Sequence, residues 1–329
     1  MLQLKNNTPF SAAFALFPDI QGIDTLYIMA KATFSIGNQW KLAEQQLPIY
    51  QTDEYWGEPG ESSLNNLGEF HIQKPATDIL MYGLACSLDQ QPVRQMDVGF
   101  EVGSIRKVIR VFGDRSWQEG EISQSNPFVN MPLVYERAFG GQYQHQGQIF
   151  VEARNPVGKG YAGDKNISEV EGTALPNLES PEHLIRHWRD NPMPVGFGPI
   201  APSWLPRANL AGTYDQKWQE QRAPYLPDDF DPHFLNAAPR DQLYPGFLKG
   251  GELVRIFGMH PNGDFQFNLP YVNLTNKVIV KSEVVSAPFQ IETLSFYPNQ
   301  QQLTMTWKAA ISCDKRILNV KQITVSLTR

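Results

Sequence analysis

His183 and His187 stand four residues apart, the spacing that lets two imidazoles reach one metal ion from a single helix face. Leu184, Ile185 and Arg186 lie between them, so the glutamate that acts as general base in the H-E-x-x-H zinc motif is missing. A helix surface beside Trp188 is the simpler reading. Asp228, Asp229 and Asp231, in P-D-D-F-D-P, could hold a cation or pair as acid and base. The same carboxylates accept backbone N–H groups in turns, and no second carboxylate cluster can be set opposite them, so capping is the preferred role. Cys86, in the apolar run M-Y-G-L-A-C-S-L, reads as an inert buried thiol, and Cys313, beside Asp314, Lys315 and Arg316, as an exposed one. Neither has an identifiable histidine base. The turn-rich stretch Asn155 to Gly163 contains glycines and Lys159 but lacks G-x-x-x-x-G-K-[ST], and no G-x-S-x-G occurs. These patterns point to no catalytic residue, no metal and no cofactor. The alternative is an enzyme, a hydrolase or protein-modifying enzyme, with the acidic turn or the histidines in a cleft.

The elements that must position these groups are mostly strands. From Asp24 to Ile36, Leu26, Ile28, Ala30, Ala32, Phe34 and Ile36 alternate with Lys31, Thr33 and Ser35, which predicts a half-buried strand. Gly37-Asn38 supplies a turn, and Trp40 to Leu42 returns antiparallel. Met1 to Phe17 predicts two short strands broken at Pro9. Tyr55 to Gly60 reads as a loop packed on a sheet, Thr77 to Leu88 as a strand, and Val93 to Phe112 as a hairpin about Gly103-Ser104. Met131 to Gly141 predicts a compact strand ending in paired glycines. Later signals are a hairpin at Pro261 to Asp264, a strand from Lys277 to Val285, a hairpin at Pro298-Asn299, and a closing strand with Ile323, Val325 and Leu327. Short spacings between strands predict antiparallel pairing.

Two helices are expected in the middle. Ser180 can cap one, with Pro181 at its first position, running to the stop at Asn191-Pro192. The other spans Thr213 to Arg222, with Thr213 and Gln216 at capping-box spacing and Tyr214 and Trp218 on one face. Between Arg189 and Gly246 proline is dense, yet Phe197, Trp204, Tyr214, Trp218, Tyr225 and Phe230 are interspersed, unlike a disordered linker. Prolines reduce the freedom of the unfolded chain and aromatics supply burial, so this is an ordered, irregular wrap. The organisation expected is mainly β, with antiparallel sheets or β-sandwich-like regions: an N-terminal β-rich region over 1–141, a loop-rich middle with short helices over 142–247, and an antiparallel region over 248–329 that shares a sheet with the first.

With 329 residues the chain can bury a large core without disulfides, and its two cysteines fit a reducing, cytoplasmic setting. Formal charge is −6 and charges of both signs are scattered, so nucleic acid is not an expected partner. No apolar run is long enough to span a bilayer, and Ser11 to Phe17 lacks the pattern of a signal peptide.

Four motifs carry a resemblance: Y-E-R-A-F-G-G at Tyr135 to Gly141, N-P-V-G-K-G at Asn155 to Gly160, P-V-G-F-G-P-I at Pro194 to Ile200, and A-G-T-Y-D-Q-K-W at Ala211 to Trp218. Continued by R-A-P-Y-L-P-D-D-F-D, N-A-A-P-R-D-Q and G-E-L-V-R-I-F-G, they make the chain resemble, over nearly its whole length, a bacterial domain-of-unknown-function family encoded beside type VI secretion spike and effector genes. The resemblance implies a cytoplasmic, non-enzymatic adaptor or chaperone that loads an effector onto the VgrG or PAAR spike. It carries over no catalytic residue. Tyr135, Glu136, Arg137, Phe139, Gly140 and Gly141 read as structural, with Glu136 and Arg137 orienting a loop through ion pairing. Contacts to the effector are expected from Trp204, Arg207, Tyr214 and Trp218, because desolvated aromatic and arginine side chains dominate interface energetics.

Overall fold

In the computed structural model, which describes residues 2–37 and 39–328, the strand Asp24–Ser35 lies one strand in from an edge of a seven-stranded sheet. Asn38, half of the expected turn, falls outside the described residues, but Lys41–Leu42 does return antiparallel on that strand. The rest of the sheet runs, in order, Leu243–Tyr244, Thr77–Met81, Gln290–Tyr297, Gln302–Ser312, Asp24–Ser35 and Ser11–Pro18. Strands from both ends of the chain therefore share it. A five-stranded sheet is built around the hairpin Gln95–Val102 and Ile105–Phe112, and continues through Leu253–Phe257 to Phe265–Asn268. Its Val98, Phe100, Ile109 and Val111 are fully buried, and Phe267 meets Phe296 of the larger sheet at 6.5 Å between ring centroids. The apolar faces of both sheets contribute to one continuous core.

The fold is mainly β with several antiparallel sheets, as the alternation predicts. Two long-range pairings are parallel instead: Thr77–Met81 with Gln290–Tyr297, and Gln3–Asn7 with Val320–Leu327. Their partners come from distant parts of the chain, so no hairpin fixes their direction.

The strand Asp24–Ser35 is not half-buried, because its polar face is covered as well. Asp78, Thr293, Thr306 and Lys31 are successive cross-strand neighbours, which places a carboxylate at one end of a polar row and an ammonium at the other. The overlying segment 43–76 supplies the opposite charge at each end. Glu69 accepts from Lys31 Nζ at 3.0 Å and from Thr306 Oγ1 at 2.7 Å. Lys74 Nζ donates to Asp78 Oδ2 at 2.7 Å and to Thr293 Oγ1 at 2.9 Å. A register shift between Ile291 and Thr293 places Glu292 where Lys308 Nζ meets it at 3.0 Å and Lys74 N donates to it at 2.8 Å. Burial, reinforced by Lys308 and Lys74, pushes the pKa of His71 well down, so its ring is neutral beside Lys308.

Several local expectations are corrected. Ser180 to Asp190 forms no helix: Glu179 accepts the N–H of Ile185, and Asp190 accepts those of Arg186 and His187, removing donors a helix would need. Ile185 and Trp188 are drawn into a second small core with Trp117 and Phe139. The other helix is shorter than expected, Gln216–Gln221, and Asp215 caps it by accepting from Trp218 N, while Thr213 bonds Asp229. A one-turn helix at Ile167–Val170, with a capping box of Asn166 and Glu169, was not expected. Met131 to Gly141 is mostly not strand: Asn130–Pro132 is followed by a 3-10 turn at Tyr135–Arg137 and a short strand at Phe139–Gly140. Cys313 is buried, as Cys86 is, and Trp56 is exposed rather than packed on a sheet. Among the described residues no helix is long and apolar enough to cross a membrane.

Asp78 is fully buried, and its removal would strand the Lys74 ammonium without a counter-charge. Asp78→Ala is therefore expected to lower stability by about 3–5 kcal/mol in a chemical denaturation series. A midpoint indistinguishable from wild type would contradict the role given to this carboxylate.

Candidate functional site

The motifs around Tyr135 and Asn155 fold against each other. Asn155, fully buried, donates from Nδ2 to Tyr135 O and Phe139 O, and Phe139–Gly140 pairs in parallel with Lys159–Gly160. Gly140 has φ +148°, and a Cβ there would come within 2.1 Å of Asn155 O, so both the conformation and the close approach require glycine. Arg137 pairs with Asp114 at 3.1 Å, whereas Glu136 makes no ion pair among the described residues: it accepts from Ser63 N at 2.7 Å and from Ser63 Oγ at 2.8 Å. The two residues anchor different loops.

The middle wrap is tied down onto this base. Asp78 accepts from Asn236 Nδ2 and from the N–H groups of Ala237 and Ala238, and Gln242 Nε2 donates to Ile79 O and Phe197 O. Arg207 joins two turns of the wrap, giving Nε to Phe234 O at 2.8 Å and Nη1 to Ile200 O at 2.6 Å. Burial lowers the pKa of this guanidinium, against the pull of Asp53 and Asp78.

These constraints enclose a cavity of about 640 Å³. Val195, Ile200, Leu205, Leu210 and Leu243 contribute apolar wall, the Tyr135 ring another part of it, and Lys107, Arg154, Arg207, Arg240, Asp231 and Asp241 bring charge to the lining. Lys107 is buried and bonded to Asp241 at 2.9 Å and to Gln242 Oε1 at 2.8 Å. Burial pushes the Lys107 pKa down, with Asp241 opposing. Arg154 grips Glu152 with two bonds of 2.7 Å. At the mouth Asp231 caps the turn Pro232–Leu235 and sits 2.8 Å from His233 Nδ1, and its carboxyl is held below the ordinary range by hydrogen bonds from the His233 backbone and ring. A lining of this kind, mostly apolar with a few placed polar groups, suits binding.

The four residues singled out for contacts separate. Trp204 is a core residue, 3 % exposed, its ring edge-on to Tyr135 at 5.5 Å, so it supports the cavity wall from behind. Arg207 lines the cavity. Tyr214 is exposed and Trp218 half-buried, on an excursion over 211–230 whose base is closed where Asp231 N donates to Leu210 O at 3.0 Å. Leu210 and Asp231 both line the cavity, so the excursion leaves from its lip. Its rings interlock: Tyr214 meets Trp218 at 4.8 Å, and Trp218 Nε1 donates to Tyr225 O at 2.9 Å.

The groups of the enzymatic alternative do not converge. Asp228 pairs with Arg222, Asp229 accepts from Thr213 N and Oγ1, and Asp231 from His233. His183 and His187 lie on an irregular stretch, and among the described residues no group of His, Cys, Asp and Glu could hold a metal ion. Lys107, Arg154, Arg240, Asp241 and His233 escaped sequence reasoning as a set because they lie far apart in the chain; R-D within N-A-A-P-R-D-Q was the one visible trace.

In comparisons with known proteins, residues 21–308 match the family described as "Uncharacterized protein conserved in bacteria (DUF2169)". No curated protein and no solved structure matches the chain.

Burial of Glu152 opposes its ionisation, but hydrogen bonds from the Arg154 side chain and backbone outweigh it and hold the carboxyl below its ordinary value of 4.5. A depressed carboxyl stabilises the fold above its unfolded pKa and loses that contribution as pH falls through the folded one. Arg154→Met is therefore expected to melt below wild type at pH 7, with the gap closing under about pH 4. A gap that persists unchanged in acid would assign the effect to lost packing.

Proposed function

We propose, from the premise that the chain belongs to the DUF2169 family, that it is a non-enzymatic adaptor or chaperone of the bacterial cytoplasm. It holds a type VI secretion effector and presents it to the VgrG or PAAR spike. The observation that carries this reading is the exposed aromatic excursion, with Tyr214 54 % and Tyr225 40 % exposed, rising from the lip of a largely apolar cavity. Rigid aromatic surface beside a concavity offers contact area at low ordering cost. The wrap beneath it is held by buried hydrogen bonds to Asp78 and from its own Gln242 to Ile79 O, so docking requires little folding of the adaptor. The type VI assignment rests on the motif resemblance, and the family description is compatible with it.

Deleting the gene should abolish delivery of the effector encoded beside it while leaving spike assembly intact; unchanged delivery would refute the adaptor reading. In vitro, Tyr214→Ala and Tyr225→Ala are each expected to melt normally yet weaken effector capture by about tenfold, or ~1.4 kcal/mol. Trp204→Ala is expected to lose about 3–5 kcal/mol of stability and binding along with it. Hydrogen exchange of the free protein should find Pro192 to Gly246 protected, and fast exchange throughout would show that the segment orders only on binding.

A further inference from the structure

We propose that the cavity takes an acidic protein segment, in which an apolar side chain fills the wall of Val195, Ile200 and Leu243 and a neighbouring Asp or Glu carboxylate meets Arg207 and Arg240. This deepens the adaptor reading and rests on it, since the segment would belong to the cargo. The argument is one of charge complementarity. Of the cationic side chains in the lining, Lys107 is neutralised by Asp241 at 2.9 Å and Arg154 by Glu152 at 2.7 Å. Arg207 and Arg240 form no ion pair among the described residues. The one remaining lining carboxylate, Asp231, is engaged by His233. Asp53 and Asp78 act on Arg207, and Asp231 on Arg240, through space rather than in direct ion pairs, so each guanidinium keeps an edge open to a carboxylate from outside.

Arg207 is the more telling of the two. Its Nε and Nη1 are bound to the carbonyls of Phe234 and Ile200, which fixes the guanidinium plane and leaves Nη2 as the edge without a described partner. A fixed, partly desolvated guanidinium gains most from a carboxylate, through a short charge-assisted bond. A peptide meets such a lining with a carboxylate and an apolar side chain carried on one backbone. The mostly apolar walls supply the burial that a free anion could not use.

The test uses the purified full chain and three dye-labelled peptides of one length. The first carries a central Leu flanked by Asp and is capped at both ends; the second replaces Asp by Asn; the third is the Asn peptide with a free C-terminal carboxylate. The Asp peptide is expected to bind about tenfold more tightly than the Asn peptide, with a gap that shrinks as salt is raised. Arg240→Gln, at an exposed position, should melt as wild type and reduce that gap. Equal affinity for Asp and Asn peptides, a preference only for the free C-terminus, or an undiminished gap in Arg240→Gln would each overturn the proposal. Effector capture by the same wild-type preparation separates the two readings: capture without any Asp preference sinks this inference alone, whereas failure of capture and delivery sinks the adaptor reading.

Discussion

The carboxylate of Asp78 is the constraint on which the rest of the molecule depends. It sits fully buried on a parallel strand of the large sheet, and a lone ion there would be costly. Its partners come from three directions: Lys74 from the covering segment, Asn236 by its side chain, and Ala237 and Ala238 by their backbone. One oxygen pair thereby locates both the segment that hides the sheet's polar face and the wrap that encloses the cavity. Because each partner also satisfies the others' desolvation, the network specifies one arrangement of three distant stretches of chain, and a partly formed version would be worse than none.

How much of this was legible depends on the range over which each signal acts. Strands whose partner is next in sequence were readable, because alternation such as Val98, Phe100, Val102 and the turn at Gly103 act locally. The polar side of Asp24–Ser35 was misread as solvent-facing, since Lys31 and Thr33 look the same whether they meet water or a buried Glu69. Ser180 to Asp190 misled for a related reason: its helix signals are real but weak, and Glu179 and Asp190 outcompete them for the same N–H groups. The contact that joins the Y-E-R-A-F-G-G and N-P-V-G-K-G motifs, Asn155 seated against Gly140, is made in space and is not legible in either motif. Of the candidate site, the aromatic excursion could be read from composition. The cavity could not, because its cations arise from positions as distant as Lys107 and Arg240.

Two kinds of polar group therefore coexist in the molecule. Those on the covered face of the sheet are paired at both ends and hold the architecture. Those at the cavity are paired only in part: Lys107 and Arg154 have acidic partners, Arg207 has carbonyls. The covered face is thus closed by its own charged partners, whereas among the described residues the Arg207 guanidinium is bonded to carbonyls alone.

The excursion over 211–230 is closed at its base by the bond from Asp231 N to Leu210 O and braced within itself by Tyr214, Trp218 and Tyr225. Beyond that base it docks on the loop at Ile20 to Gly22, where Arg222 donates to Ile20 O and the Tyr225 ring lies against Gly22. A unit that packs largely on itself and meets the body at its base and one loop can change residues away from those contacts with little energetic coupling to the scaffold. Substitution within this stretch would therefore reshape the surface beside the cavity while leaving the sheets and their buried charges as they are.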